Sequence, residues 1–192
     1  MSTVNLDPLQ TMDHLETPKA FRKLYYARAV FSIIWVLLVF TFAEKNTFIT
    51  NMLFIIYPAW DAFATFLDIK IDNRESKVPQ YVNLAISATT TIGVLLALLK
   101  ELPTALIVIG IWAIVTGLIQ LVLAIRRRKL LGGQWPMIIS GGQSMIGGSS
   151  FIILADSPTM GMHSLAGYAA FGAFYFLLSA IRLTLGNKKN KH

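Results

Sequence analysis

The sequence predicts an all-α polytopic membrane protein, six transmembrane helices arranged as three hairpin repeats. Three observations carry that prediction: six apolar stretches of spanning length, basic residues that fall on alternate joints, and a helix-end pattern that recurs at a fixed offset. The chain has 192 residues, 55% hydrophobic and 14% charged, with a mean hydropathy of +0.59 and no cysteine. A spanning helix needs about 20 apolar residues, so six consume roughly 120 and leave no room for a separate soluble domain. A Rossmann or P-loop module, a zinc finger and a disulfide-stapled secreted domain are thereby excluded, and the lack of cysteine removes thiolate and redox chemistry.

A polar tail over residues 1–23 precedes the first span, and a short basic tail over 186–192 follows the last. The first apolar run covers 24–43 and ends at Glu44, Lys45 and Asn46. Thr41, Phe42 and Ala43 offer the small residues that a signal peptidase reads, but the preceding segment is long, it carries Asp7, Asp13 and Glu16, and the run itself is long enough to span, so cleavage is not expected. The second run, 48–67, leads into the polar joint Asp72, Asn73, Arg74, Glu75 and Ser76. The third, 81–99, turns through Lys100, Glu101, Leu102 and Pro103 into the fourth, 104–125, which stops at Arg126, Arg127, Arg128 and Lys129. The fifth, 131–155, breaks at Asp156, Ser157 and Pro158 before the sixth, 165–185. Hydrophobicity all round, instead of a stripe, means each helix is buried in lipid or protein on every side.

The net charge of +7 is a record of orientation. Lys19, Arg22, Lys23 and Arg28 precede or open the first span; Lys70, Arg74 and Lys77 flank the second joint; Arg126, Arg127, Arg128 and Lys129 fill the fourth; Arg182, Lys188, Lys189 and Lys191 close the chain. These are 15 of the 17 basic residues, and only Lys45 and Lys100 fall on the opposite side. The positive-inside rule then places both termini in the cytoplasm. The lipid bilayer is the expected partner, nucleic acid is not, and the basic cluster from position 126 to 129 is read first as a topology determinant and second as a contact for anionic headgroups.

The even-numbered helices superpose at an offset of 56: Leu67, Asp68, Ile69 and Lys70 fall on Leu123, Ala124, Ile125 and Arg126, and on Ser179, Ala180, Ile181 and Arg182. In the odd-numbered helices Gly93 with Pro103 recurs as Gly148 with Pro158. Three parallel two-helix units are implied, a repeat arrangement found in transport-type folds.

Asp61 is the sharpest single feature. At 1.5 Å per residue it stands about 12 Å inside the apolar zone from the helix exit near Lys70. A carboxylate there costs roughly 2.5–3.5 kcal/mol on insertion scales unless it is paired, protonated or facing water. Arg28, one turn into the neighbouring first helix, is the nearest base, whereas Asp68 is expected to pair with Arg22, Lys23 or Lys70 at the membrane interface. Two readings stand: an Arg28–Asp61 pair that fixes the register of the first hairpin, or an intramembrane proton or cation site formed by Arg28, Asp61 and Asp68. Pro58 removes a helix hydrogen bond at Phe54 and predicts a bend beside this acid. Tyr57 and Trp60 are read as packing residues, and Asn83, Thr90, Gln120 and Gln143 as candidates for a polar seam.

The fifth helix has the smallest face, with Gly132, Gly133, Gly141, Gly142, Gly147 and Gly148 among Ser140, Ser144, Ser149 and Ser150. Small residues in lipid permit close backbone approach, so Gly141, Gly142, Gly147 and Gly148 mark a helix-packing face or the face of a homo-oligomer. His14, His163 and His192 are too scattered for a metal site, and no spacing supports a catalytic residue, a metal or a bound cofactor, so no enzyme is expected.

Short hairpins with glycine at mid-helix and proline at the outer end, as in Gly148, Ser149, Ser150, Phe151 through Asp156, Ser157 and Pro158, return through helices such as Ile111 to Leu121 into Ala124, Ile125 and Arg126. This pattern, over residues 24–185, resembles the HdeD-like short-repeat membrane proteins. The resemblance implies a bacterial inner-membrane protein linked to acid or stress tolerance, acting non-enzymatically, and it brings no catalytic residues with it. Trp60, Asp61, Ala62 and Asp68 depart from the family pattern in the first repeat. The alternative expectation is a small proton or solute transporter or channel centred on Asp61 with Arg28.

Overall fold

The computed structural model describes residues 8–43, 45–73 and 76–189, and within these the side chains of residues 18–185. Among the described residues the chain forms six α-helices and no strand: α1 Pro8–Phe42, α2 Thr47–Ile71, α3 Val78–Leu98, α4 Leu102–Leu131, α5 Trp135–Ile153 and α6 Met162–Lys189. Five contain segments long and apolar enough to cross a membrane: Pro18–Phe42 in α1, Thr47–Ile71, Val78–Leu98, Leu102–Leu131, and Met162–Leu185 in α6. The 19 residues of α5 fall outside that set because glycine, serine and Gln143 dilute its apolar content.

Helices α2 to α5 pack chiefly on their neighbours in sequence, and α1 and α6 pack chiefly on each other, so the six close into a ring. Short joints impose this order by making consecutive helices antiparallel neighbours. The outward surface is apolar, with Leu37, Phe40, Phe63, Ile92, Leu96 and Ile111 exposed. The interior has two apolar ends. Trp35, Val39, Leu53, Phe54, Leu106, Ile109 and Leu165 fill the end nearest the α1–α2 joint. Phe21, Tyr25, Ala124, Met137, Ala180 and Leu183 fill the other.

Several expected boundaries move. The tail assigned to 1–23 is helical from Pro8, and α1 continues through Pro18, because Phe21, Leu24 and Tyr25 recur at helical spacing and are buried. Residues 1–7 of that tail, and 190–192 of the C-terminal one, lie outside the described residues. The basic run from 126 to 129 does not end α4, which continues to Leu131. Basic residues suit the last turn of a helix, where the carbonyl ends are exposed. Gly132 and Gly133, expected inside the fifth helix, form the turn instead, at φ 61° and 45°. Such positive angles are cheap only for glycine.

α2 stays one helix through Pro58, which is fully buried. The ring of Pro58 removes the donor that would reach the Phe54 carbonyl. One residue earlier the Leu53 carbonyl takes a hydrogen bond from Trp35 Nε1 at 2.9 Å, so α1 supplies a donor where α2 is weakened.

Candidate functional site

Inside the ring, between the two apolar ends, lies a cavity of about 520 Å³ with walls from all six helices. Its polar lining includes Arg28 and Ser32 of α1, Asp61, Thr65 and Asp68 of α2, Gln80 and Asn83 of α3, and Arg127 of α4.

The sequence placed Arg28 and Asp61 opposite each other, and the structure brings them together: Arg28 Nη1 donates to Asp61 Oδ1 at 2.7 Å. The other carboxylate oxygen accepts from Asn83 Nδ2 at 3.0 Å and Ser87 Oγ at 2.6 Å. Trp112 Nε1 donates to Ser87 Oγ at 3.0 Å, which leaves the Ser87 proton free for Asp61. Thr65 Oγ1 accepts from both Arg28 Nη2 and Asn83 Nδ2. The acid is thus held by donors from α1 and α3, with α4 ordering one of them. Such an acceptor-only arrangement suits a carboxylate.

Asp68 departs from expectation. It is 6% exposed and pairs neither with Arg22, Lys23 nor Lys70 but with Arg127, whose Nη1 lies 2.9 Å from Asp68 Oδ2 while Nη2 reaches Oδ1. Arg127 Nη2 also meets Asp72 Oδ2 at 3.1 Å, and Gln80 Nε2 donates to the same oxygen at 2.6 Å. The physical reason is helical register. Leu123, Ala124 and Arg127 share one buried face of α4, whereas Arg126 and Arg128 are exposed on either side. Arg127 is therefore no loop charge, and its guanidinium also lies 4.4 Å over the Phe21 ring. A bidentate guanidinium between two acids one turn apart satisfies both more completely than a lysine would. The lysine expected there, Lys70, sits over the Phe66 ring at 4.4 Å.

The four glycines separate. A Cβ on Gly148 would lie 2.5 Å from the Gly110 carbonyl oxygen, and one on Gly141 would lie 2.7 Å from that of Gly117. Reciprocal close approach of α4 and α5 is therefore what these two glycines allow. Gly147 faces the Tyr168 ring, whereas Gly142 has open space before it. Ser144 Oγ fits the same crossing, 2.9 Å from the Ala113 carbonyl and 2.6 Å from Tyr168 Oη. The expected seam of Asn83, Thr90, Gln120 and Gln143 is replaced by separate partners: Asn83 turns to Asp61 and Gln120 Nε2 to the Met137 carbonyl at 3.2 Å. Tyr57 packs on Trp35 and Trp112, and Trp60 stacks on Phe31 at 4.2 Å.

Sequence reasoning missed Arg127, Asp72, Gln80 and Ser87. A signal for Arg127 existed in Asp68 and Asp72, four apart and so on one face of α2, which call for a forked base in place of a point charge. Among the described residues, no three His, Cys, Asp or Glu side chains come together as a metal site would require. No protein-family model, curated protein or solved structure matches the chain.

Proposed function

We propose that this protein is a non-enzymatic membrane carrier that lodges a small solute in the central cavity of a six-span bundle. The carrying observation is the cavity itself: about 520 Å³, within the size range of small-molecule sites, with two arginine–aspartate pairs on its wall. Charged groups inside a membrane bundle generally face one another or a solute path. On this reading α5 is the sixth span, since 19 helical residues cover about 28 Å and hydrocarbon is about 30 Å thick. Both termini then face the cytoplasm of an inner-membrane protein, and the three hairpins are repeats around one axis along the membrane normal.

Asp61 serves here as a fixed acceptor in the wall, not as a moving proton carrier. Support comes from its full set of donors, Arg28, Asn83 and Ser87. The resemblance to HdeD-like proteins, carried by small residues that in α4 and α5 meet face to face, extends the proposal to a role in acid or stress tolerance.

Thr116 offers a clean test. It lines the cavity and bonds only its own helix, Oγ1 to the Trp112 carbonyl at 2.8 Å, so Thr116→Phe fills space without touching either ion pair. In lipid nanodiscs, a panel of amino acids, polyols, amines and organic acids is expected to contain at least one compound that raises the melting temperature of the wild type and leaves Thr116→Phe unmoved. A compound that stabilises both equally argues for a surface site, and a panel without any stabiliser argues against the carrier.

A further inference from the structure

The cavity lies between two ends of the ring that are packed with buried apolar side chains, Trp35, Leu106 and Leu165 at one and Phe21, Met137 and Leu183 at the other. Its mouth is shown by the lining residues that are also exposed. Among the described residues these are Gln143, Ile146 and Phe171, with Ile146 69% and Phe171 61% exposed. All three lie on α5 and α6, near the middle of α5 (Trp135–Ile153) and of the apolar segment Met162–Leu185. The α5–α6 and α1–α2 interfaces are the two thinnest of the ring, and the joint between α5 and α6, residues 154–161, is the longest among the helix joints. Gly167 leaves room there, since a Cβ added to it would meet nothing within 4 Å, whereas Gly147 sits close against the Tyr168 ring.

We infer that the cavity is entered sideways, between α5 and α6, by a single-chain amphiphile with an uncharged polar head. This rests on the carrier reading above and specifies its substrate class. A mouth at mid-height in a membrane bundle faces acyl chains and not water, so the molecules that reach it are those already dissolved in the bilayer. Ile146 and Phe171 at the lip suit an alkyl chain, and Gln143 beside them offers a hydrogen bond to a head group in passage. Farther in, the lining carries two arginines and two aspartates, Arg28 with Asp61 and Arg127 with Asp68, whose formal charges cancel on the wall itself, while Asp72, behind the lining, shares Arg127. A wall with no net charge favours a hydroxyl or amide head over an anion or a cation, because no unpaired countercharge awaits either. The volume, about 520 Å³, lies in the range of small-molecule sites and suits a single-chain molecule.

The test uses a doxyl-labelled fatty alcohol in proteoliposomes of zwitterionic lipid, read by electron paramagnetic resonance as a motionally restricted component. Wild type is expected to show a saturable restricted component of one probe per chain. Thr116→Phe, which fills the interior, and Gly167→Phe, which fills the mouth, should each reduce it at least tenfold. Leu96→Trp on the lipid face of α3 should leave it unchanged, and Phe171→Ala, which widens the mouth, should retain it. Retention in both Thr116→Phe and Gly167→Phe would place the probe on the outer surface and overturn the inference, as would retention in Gly167→Phe alone. Absence of a saturable component, together with a water-soluble compound that stabilises wild type but not Thr116→Phe, would overturn lateral entry while leaving the carrier intact. Absence of both would remove the two together. A matched doxyl fatty acid at a pH where it is ionised should bind at least tenfold more weakly than the alcohol, and equal binding would contradict the uncharged head.

Discussion

Asp61 is a carboxylate that an apolar helix tolerates only because three side chains donate to it. Asp61→Asn would turn one oxygen into a donor facing donors, and the expected loss is on the order of 2–3 kcal/mol, the worth of charged hydrogen bonds. Adding Arg28→Gln removes the stranded cation, so the double variant should unfold later in denaturant than Asp61→Asn alone. A double variant less stable than the single would show that Arg28 has its own attachments, through Thr65 or the Phe176 ring 5.3 Å away. Arg127→Gln carries a larger expected cost, about 3–5 kcal/mol, since it strands Asp68 in a buried setting and takes from Asp72 one of its partners. Insertion orientation, read by reporter fusions, should not change in Arg127→Gln, because Arg126, Arg128 and Lys129 remain at the same helix end. The first pair was legible in the sequence because an isolated acid in an apolar run has few bases within reach. The second was not, since Arg127 sits among three other bases and charge counting treats all four alike; only helical phase tells the inward one from its neighbours.

At the scale of the helix, α4 and α5 are joined by backbone contact that glycine alone permits. Gly148→Ala should loosen the bundle, because the new methyl meets the Gly110 carbonyl and the Ile114 amide at 2.9 Å, backbone atoms that cannot rotate away. Gly142→Ala has open space and should be neutral or stabilising by up to about 1 kcal/mol from helix propensity. Thermal unfolding of the two variants side by side in nanodiscs checks this, and equal effects would show that the crossing is looser than described. Glycine spacing marked α5 as a packing helix from sequence. It left the partner undecided, because small residues suit a neighbour in the same chain as well as a second copy. Joints were legible to within a few residues where proline or acidic residues break the chain, as at 72–77 and 99–101. They failed where charge was read as a break: Arg126 to Leu131 are helical, and the true turn is the glycine pair at 132 and 133.

Over the whole molecule, the apolar fraction and loop charges fix the class, and short joints fix which helices are neighbours. The closing contact of α6 on α1, and the space the ring encloses, have no signature in one sequence, since they depend on how far each helix stands from the axis. Reporter fusions at Ser76, Lys129 and the C-terminus should all read cytoplasmic, and those at Lys45 and Ser157 should read external. Reversed signals at Ser157 and the C-terminus together would remove α5 from the set of spans, and one at Ser157 alone would remove both α5 and α6. The most direct measurement is solute flux through the cavity: proteoliposomes loaded with a compound that stabilises the wild type, followed for its release with wild-type protein, Thr116→Phe and empty vesicles. Release by wild type well above empty vesicles, with Thr116→Phe reduced to the empty-vesicle rate at unchanged folding, is the predicted result. Equal release by wild type and Thr116→Phe, or none above empty vesicles from either, would contradict a carrier built around this cavity.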